Sequence, residues 1–400
     1  MSSVLILGDV HLGKGTSIGK NNTGTGLNTR IIDQLKLLDW TLDKAIDSLC
    51  DHIIITGDIF EEPKPHHSLV VAFIDWLKKC ESNEVFVHIV AGNHDLLRSG
   101  SFYTSPLDII SISELEKCRI YKDIETFYVN NVSFTMLPFR DRKSYISTSN
   151  QEAAALLKQS IDYEVYEIPT FCTKVCVGHL AVEGSIFVGD EVDDVSNEIF
   201  CSSAMLDGFD YVWMGHVHSP QVMRKSPLIS HIGSMDISNF GEQDQQKHII
   251  VFDTEQKTYK QISIPTRNLK KISIAIPKDV ENTTEFVMEE IKNKSLNIEK
   301  SIVKLEISLS DSQLKPVDRV QLEKFIYESG AFNIAGISES KKVSIVKKEV
   351  SESIDTKMDV PAAINMWAKS KWPNESDHEK EKRAKYIATA LSMFSELTKN

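Results

Sequence analysis

Cysteine is scarce in this chain. The six in 400 residues (Cys50, Cys80, Cys118, Cys172, Cys176 and Cys201) show no zinc-type spacing. That pattern excludes a disulfide framework and predicts buried free thiols in a reducing compartment. Long apolar runs are missing too: no segment approaches the ~18 residues that span a bilayer. The N-terminus enters an apolar strand at once, without the basic region and long apolar stretch of a secretory signal. A soluble cytoplasmic protein with no membrane role is expected. A basic excess is also lacking, since the formal net charge is −12. Whole-chain charge does not advertise a nucleic-acid partner, although binding grooves are local. The last ~60 residues are slightly basic and the rest carries the acidic excess. The Gly-rich loop "GKGTSIGKNNTGTG" is no P-loop: Gly19-Lys20 is followed by Asn21, and no glycine stands five before Gly19. It reads as a polar surface loop.

One pattern occurs five times. "VLILGDVH" is a short apolar run, then Gly8, Asp9 and His11. "HIIITGDIF" repeats it with Gly57 and Asp58, and "VFVHIVAGNHD" with Gly92, Asn93, His94 and Asp95. "KVCVGHL" and "DYVWMGHVHSP" add His179, and His216 with His218. Runs this rich in Val, Ile and Leu are expected of strands buried on both faces. Ligands in open α/β sheets gather where strands end at their carboxyl edge. Five strand ends are therefore expected to deliver carboxylate, amide and imidazole groups to one place.

Residues 1–265 alternate strand and helix. Ile31, Leu35, Leu38, Leu42, Ile46 and Leu49 recur at helical spacing, so a helix from Thr29 has a core-facing stripe. A second helix, about Ser68 to Lys79, crosses between the second and third runs as in a right-handed parallel unit. "PLISHIGSMDISNFGE" and "KHIIVFD" read as strands of a second sheet. Residues 266–342 read as a small α+β domain, with Val303, Leu305, Ile307 and Leu309 on one strand face and a helix stopped at Gly330. Residues 343–359 are charged and Ser-rich, a linker. Residues 360–400 hold two amphipathic helices, one opening at Pro361 and one behind a capping box at Ser376–Glu379. Short helices cannot bury their apolar faces alone; they dock either on this chain's own body or on a partner, and a partner is the expected cover.

Asp9, His11, Asp58, Asn93, His179, His216 and His218 are too many ligands for one ion. Two ions sharing a carboxylate would use them all. Mixed imidazole, carboxylate and amide donors fit manganese, iron or zinc rather than calcium or magnesium. Two such ions, roughly 3.5–4 Å apart, clamp phosphoryl oxygens and generate a hydroxide nucleophile at neutral pH. His94, beside Asn93, suits a catalytic acid. Alternate residues on an extended stretch face opposite ways, which would give His216 and His218 to different ions. The other histidines (His52, His66, His67, His88, His231, His248 and His378) read as surface or structural.

The ordered set D-x-H, G-D, G-N-H-D, G-H and G-H-x-H resembles the signature of calcineurin-like metallophosphoesterases. The resemblance implies a two-sheet αββα sandwich with a capping domain and a C-terminal helical segment. It implies one ion on Asp9, His11, Asp58 and His218, and another on Asp58, Asn93, His179 and His216, with His94 as proton donor. "GNHD", "GSMDISNFGE" and "GLNTRIIDQLKLLDW" look like the SbcD, or meiotic-recombination-eleven, nuclease subunits, including their phage branch. That branch implies a manganese-dependent DNA exonuclease and endonuclease, acting as a homodimer with an SbcC-type ABC ATPase in DNA repair and recombination. The host would be a bacterial or phage-infected cell. One departure stands out. In "GDIFEEPKPHH", Glu61 occupies the place of a phosphate-steering histidine, and His66 or His67 would have to reach back to replace it. Weakened exonuclease activity is the expectation. Lys14, Lys20, Arg30, Arg98, Lys270 and Lys271 are candidate DNA contacts.

Two other readings compete. A small-molecule or protein phosphoesterase of the same superfamily is one, although "GDIFEE" and "GNHD" lack the arginines of protein phosphatases. A non-catalytic scaffold for DNA and the ATPase is the other.

Overall fold

The structure is a computed structural model that describes residues 3–99, 102–188, 197–293, 298–310 and 317–342, together with Ile387. In chain order it runs β1 (Ser3–Leu7), α1 (Thr29–Asp47), β2 (Cys50–Ile55), α2 (His67–Ser82) and β3 (Phe86–Val90). A short hairpin of β4 (Leu97–Ser99) and β5 (Phe102–Thr104) follows, then α3 (Leu107–Ser111), β6 (Cys118–Tyr121), β7 (Glu125–Val129) and β8 (Val132–Leu137). Next come α4 (Asn150–Glu167), β9 (Thr173–Gly178), β10 (Tyr211–Met214), β11 (Gln221–Lys225), β12 (Leu228–His231), β13 (His248–Asp253) and β14 (Thr258–Ser263). The last described elements are β15 (Leu269–Ala275), α5 (Thr283–Asn293), β16 (Ile302–Ser310), α6 (Arg319–Glu328) and β17 (Asn333–Lys342).

Two six-stranded sheets form the body, ordered β14-β13-β1-β2-β3-β6 and β11-β12-β10-β9-β8-β7. The strands that end in the Gly-ligand pattern are parallel within each sheet: β1, β2 and β3 in the first, β9 and β10 in the second. Strand alternation builds the layers. Val4 and Ile6 point between the sheets, where they meet Phe134, Val175, Val177 and Trp213. Leu5 and Leu7 point outward, against Leu38 of α1 and Phe73 and Trp76 of α2. The outer face of the second sheet, Cys176, Val212 and Met214, is covered by Ala153, Leu157 and Ile161 of α4. Helix, sheet, sheet, helix is the αββα sandwich expected. One strand differs from expectation. β13 does not extend the second sheet but returns to the first, antiparallel to β1, because Ile250 and Phe252 complete the layer begun by Val4 and Ile6.

Residues 269–342 fold around a core of their own. A parallel sheet, β15-β16-β17, packs Ile272, Val303, Leu305 and Ile307 against Val287, Ile291, Leu322 and Ile326 of its two helices. This domain belongs with the sandwich to one compact unit, 1–342. The expected linker and terminal helices, including Pro361 and the Ser376–Glu379 box, lie outside the described residues.

Polar side chains bolt the small domain to the sandwich. Arg30, expected as a DNA contact, is fully buried. Its guanidinium donates to Asp33 (2.9 Å), Asp236 (2.5 Å) and the Ile237 carbonyl (2.8 Å). Asp33 also accepts from Arg267 at 2.7 and 2.6 Å, and Arg267 lies 3.6 Å over the ring of Phe332. Burial pushes the Asp236 carboxyl up to about 6, against the pull of the adjacent Arg30. Removing one partner of such a buried set leaves the others desolvated and uncompensated. Arg30→Leu is therefore expected to lower unfolding stability by about 3–5 kcal/mol, read as a lower urea midpoint. A loss under about 0.5 kcal/mol, the range of ordinary surface changes, would refute this role.

Candidate metal centre

Every expected ligand lies at the carboxyl end of a central strand or in the loop just beyond it. Asp9 and His11 follow β1, Asp58 follows β2, Asn93 follows β3, His179 follows β9, and His216 and His218 follow β10. Asp9, His11, Asp58, His179 and His218 are buried, while Asn93, His94 and His216 are half-buried. Donor atoms of Asp9, His11 and His218 lie within 4.8 Å of one another, as do those of Asp9, Asp58 and His179, and those of His11, Asp58 and His94.

The contacts divide into two neighbouring clusters. His11 Nε2 faces His218 Nε2 at 2.9 Å. On the other side, Asn93 Oδ1 receives His179 Nε2 at 2.9 Å and His216 Nδ1 at 3.0 Å. Asp58 stands between, its Oδ2 3.4 Å from His11 Nε2 and 3.2 Å from His179 Nε2. That is the place a bridging carboxylate would take. His216 and His218 serve different clusters.

The backbone is bent to achieve this. His11 (φ 46°), Asp58 (φ 46°) and His216 (φ 75°) all sit in the left-handed region, which residues with a Cβ rarely visit. Strain of this kind persists only where surroundings enforce it. Two glycines allow close approach. A Cβ on Gly215 would stand 2.1 Å from Asp9 Oδ1, and one on Gly92 2.1 Å from Asp58 Oδ1.

Supporting groups surround the donors. Thr56 Oγ1 donates to Asp9 Oδ1 (2.7 Å), and the His216 amide to Asp9 Oδ2 (2.7 Å). The Thr56 carbonyl meets His179 Nδ1 at 3.0 Å, which turns Nε2 toward Asn93. Asp95 accepts from the amides of Ile59 and Gly92, tying two ligand loops together. Buried Lys247 donates to the His218 carbonyl (2.8 Å) and pairs with Glu242. His231 Nδ1 meets the Gly215 carbonyl at 3.0 Å, so it supports the loop from behind, as its structural reading implied.

Charge is arranged for cations. Burial alone would raise the Asp58 carboxyl, but His179, then His94, hold it well below the usual range. Burial would lower His179, yet Asp58 and Asp9 hold it well above its ordinary value. Burial depresses His11 and His218, leaving neutral imidazoles with a free electron pair to donate. Ionised carboxylates, the neutral imidazoles of His11 and His218 and an amide oxygen converge in a buried pocket, and His179 would give up its proton to an ion; the set fits two divalent transition metals.

Other expected residues fall differently. His94 lies at the site: its amide donates to Asp58 Oδ1 (2.9 Å), its Nδ1 meets the Glu61 carbonyl (2.6 Å), and its ring lies 4.9 Å from that of His11. Glu61 does not hang free as a phosphate-steering group. Its Oε2 lies 2.8 Å from His11 Nδ1 and 3.3 Å from Lys14 Nζ. His66 does not reach back, because its ring caps α2 through the Ser68 amide and hydroxyl. His67 is exposed in the first turn of α2. Lys20 donates to the Phe332 carbonyl (3.2 Å), and Lys271 pairs with Glu306 (3.0 Å). Lys270 is half-buried on β15, and the Arg98 side chain lies outside the described residues. One residue had no signal in the sequence. Glu198, in the loop between β9 and β10, places Oε1 2.6 Å from His216 Nε2.

Residues 2–220, more than half the chain, match the calcineurin-like phosphoesterase family. The chain belongs to that family. Its similarity reaches one particular relative, the DNA double-strand break repair protein Mre11 of Thermoplasma acidophilum, with 22% identity over 328 residues covering 78% of this chain and 79% of that protein. Among solved structures, a dimetal phosphatase from Danio rerio is 12% identical with a TM-score of 0.40, covering 66% of this chain and 98% of that one. A cold-active protein-tyrosine phosphatase of a psychrophilic Shewanella is 14% identical with a TM-score of 0.30, covering 65% and 80%. The likeness to both is partial.

The ligand grouping has a direct consequence for stoichiometry. Titration calorimetry with manganese is expected to find two ions on the native chain, one on His218→Ala or Asn93→Ala, and none on Asp58→Ala. An Asp58→Ala protein that still binds two ions would refute the shared carboxylate.

Proposed function

We propose that this protein is a dimetal phosphodiesterase that cuts DNA. The observation that carries the reading is the length of the match to Mre11. At 78% of the chain it cannot be contained in the sandwich, and so takes in part of the attached β15–β17 domain. The buried donor set supports the chemistry. When bound, two divalent ions supply Lewis acidity toward phosphoryl oxygens and a nucleophilic hydroxide at neutral pH. The chain's part is to hold the donors rigid and place a proton donor. His94 is proposed for that last role: its Nδ1 meets the Glu61 carbonyl, which fixes the ring beside the cluster, 4.9 Å from that of His11. Manganese is the preferred ion on the grounds of resemblance. A second copy of the chain and a coiled-coil ABC ATPase, bound by residues 360–400, are the proposed partners.

A small-molecule or protein phosphoesterase is the second reading. Glu61 favours it, since the acid stands where the nuclease branch carries histidine, and the matched family segment, 2–220, serves both readings equally. A non-catalytic scaffold would keep DNA binding without any turnover.

One assay separates the three. Manganese-dependent cleavage of single-stranded and hairpin DNA is expected, with little turnover of a chromogenic phosphate ester. Asp9→Ala and His216→Ala are expected to abolish cleavage while DNA binding persists. Ester turnover without DNA cleavage would establish the second reading, and cleavage retained by both variants would remove the metal mechanism. His94→Gln is expected to reduce kcat by roughly 10²–10⁴-fold with metal stoichiometry unchanged. A loss confined to KM would reject His94 as the acid.

A further inference from the structure

Two of the histidines that point into the centre have a carboxylate at their backs. His11 turns Nε2 toward Asp58 and His218, and its other nitrogen, Nδ1, lies 2.8 Å from Glu61. His216 turns Nδ1 toward Asn93, and its Nε2 lies 2.6 Å from Glu198. Both are close charge contacts, and neither meets hydrogen-bond geometry. The two rings use opposite nitrogens, yet the arrangement is the same: carboxylate, imidazole, ligand cluster. His179 achieves the same end with a neutral acceptor, the Thr56 carbonyl.

Neither acid is a loose surface group. Glu198 is 11% exposed, and its backbone is fixed by a bridge to Asp141 and by Asn150 Nδ2 donating to its carbonyl at 3.2 Å. Glu61 donates its amide to the Leu12 carbonyl (3.3 Å) and accepts His94 on its own. An anion behind an imidazole selects the tautomer whose lone pair faces forward and makes that lone pair more basic.

We propose that Glu61 and Glu198 are positioning residues, one for each ion: Glu61 sets the affinity of the site that holds His11, and Glu198 that of the site that holds His216. The proposal rests on the dimetal reading and assigns Glu61 a task other than steering phosphate. It also makes the two ions separately adjustable, since the carboxylates sit in different loops and touch different histidines.

The test is manganese binding by the intact chain, followed by the loss of the free-ion paramagnetic resonance signal, with thermal melts run alongside. Glu61→Gln and Glu198→Gln keep side-chain shape and an acceptor oxygen but lose the charge. Each is expected to weaken one of the two binding steps by roughly 10–100-fold and leave the other unchanged. The melting temperature without metal should stay at the native value, while the manganese-induced rise shrinks. In the double variant both steps should weaken. Native protein that binds no manganese would overturn the proposal together with the dimetal reading. Two native steps, unaltered in both variants, would overturn the proposal alone. So would a metal-free melting temperature that falls in step with the binding loss, because the glutamates would then be structural. Glu61→His that speeds DNA digestion with both binding steps unchanged would return position 61 to phosphate steering.

Discussion

Two carboxylates buried side by side set the terms for the rest of the molecule. Asp9 and Asp58 are fully buried at the ends of adjacent strands, where the apolar filling between the sheets gives out. A buried anion is costly unless paired, and two close together are worse. The surroundings respond with positive or donating groups: the Thr56 hydroxyl, the His216 and His94 amides, and His179 between both acids. Left-handed backbone at His11, Asp58 and His216 and close approach at Gly92 and Gly215 are what bring those groups in. The same anionic pocket that would be a defect in a core is the condition for holding divalent cations.

That demand propagates outward. The loop after β12 reaches the centre through the bridge between Asp9 and Ser234, with the Met235 amide donating to the Asp9 carbonyl at 2.7 Å. Next in that loop is Asp236, which holds Arg30 on α1; Arg30 shares Asp33 with Arg267, and Arg267 stacks on Phe332 of the small domain. A chain of charged contacts thus runs from the strand end that bears a ligand to the attached domain. Apolar burial at Ile237, Leu269 and Ile302 seals the same junction. The small domain is anchored to the floor of the site, not only to its rim.

Much of this was legible in the residues. A ligand placed straight after an apolar run and a glycine is a strong signal because strand direction and sheet edge leave it one place to go. Period-two burial on both faces gave the layers. Other parts were not legible. β13 changes sheet because Ile250 and Phe252 fit a gap that exists only once β1 is in place. Glu198 follows no strand and carries no motif, and its role appears only when the loop between β9 and β10 folds over His216. Arg30, Lys20 and Lys271 looked like phosphate contacts because sequence shows a charge and not its neighbours. His66 keeps its structural reading for a related reason: a polar residue just before a helix is a cap first, so its ring stays with Ser68.

The fate of those cations bears on how a phosphodiester would be held. Arg30 is buried, Lys20 is committed to Phe332, Lys271 to Glu306, and Lys14 leans on Glu61. With a net charge of −12, the chain as a whole offers a polyanion little general attraction. Attraction would then come from the divalent ions themselves, once held by Asp9, Asp58 and their neighbours, with the partly buried His94 beside them. A substrate would be drawn to the point of chemistry more than to a track leading there. Such a centre would grip one phosphate at a time, because its donors converge on a single point at the strand ends.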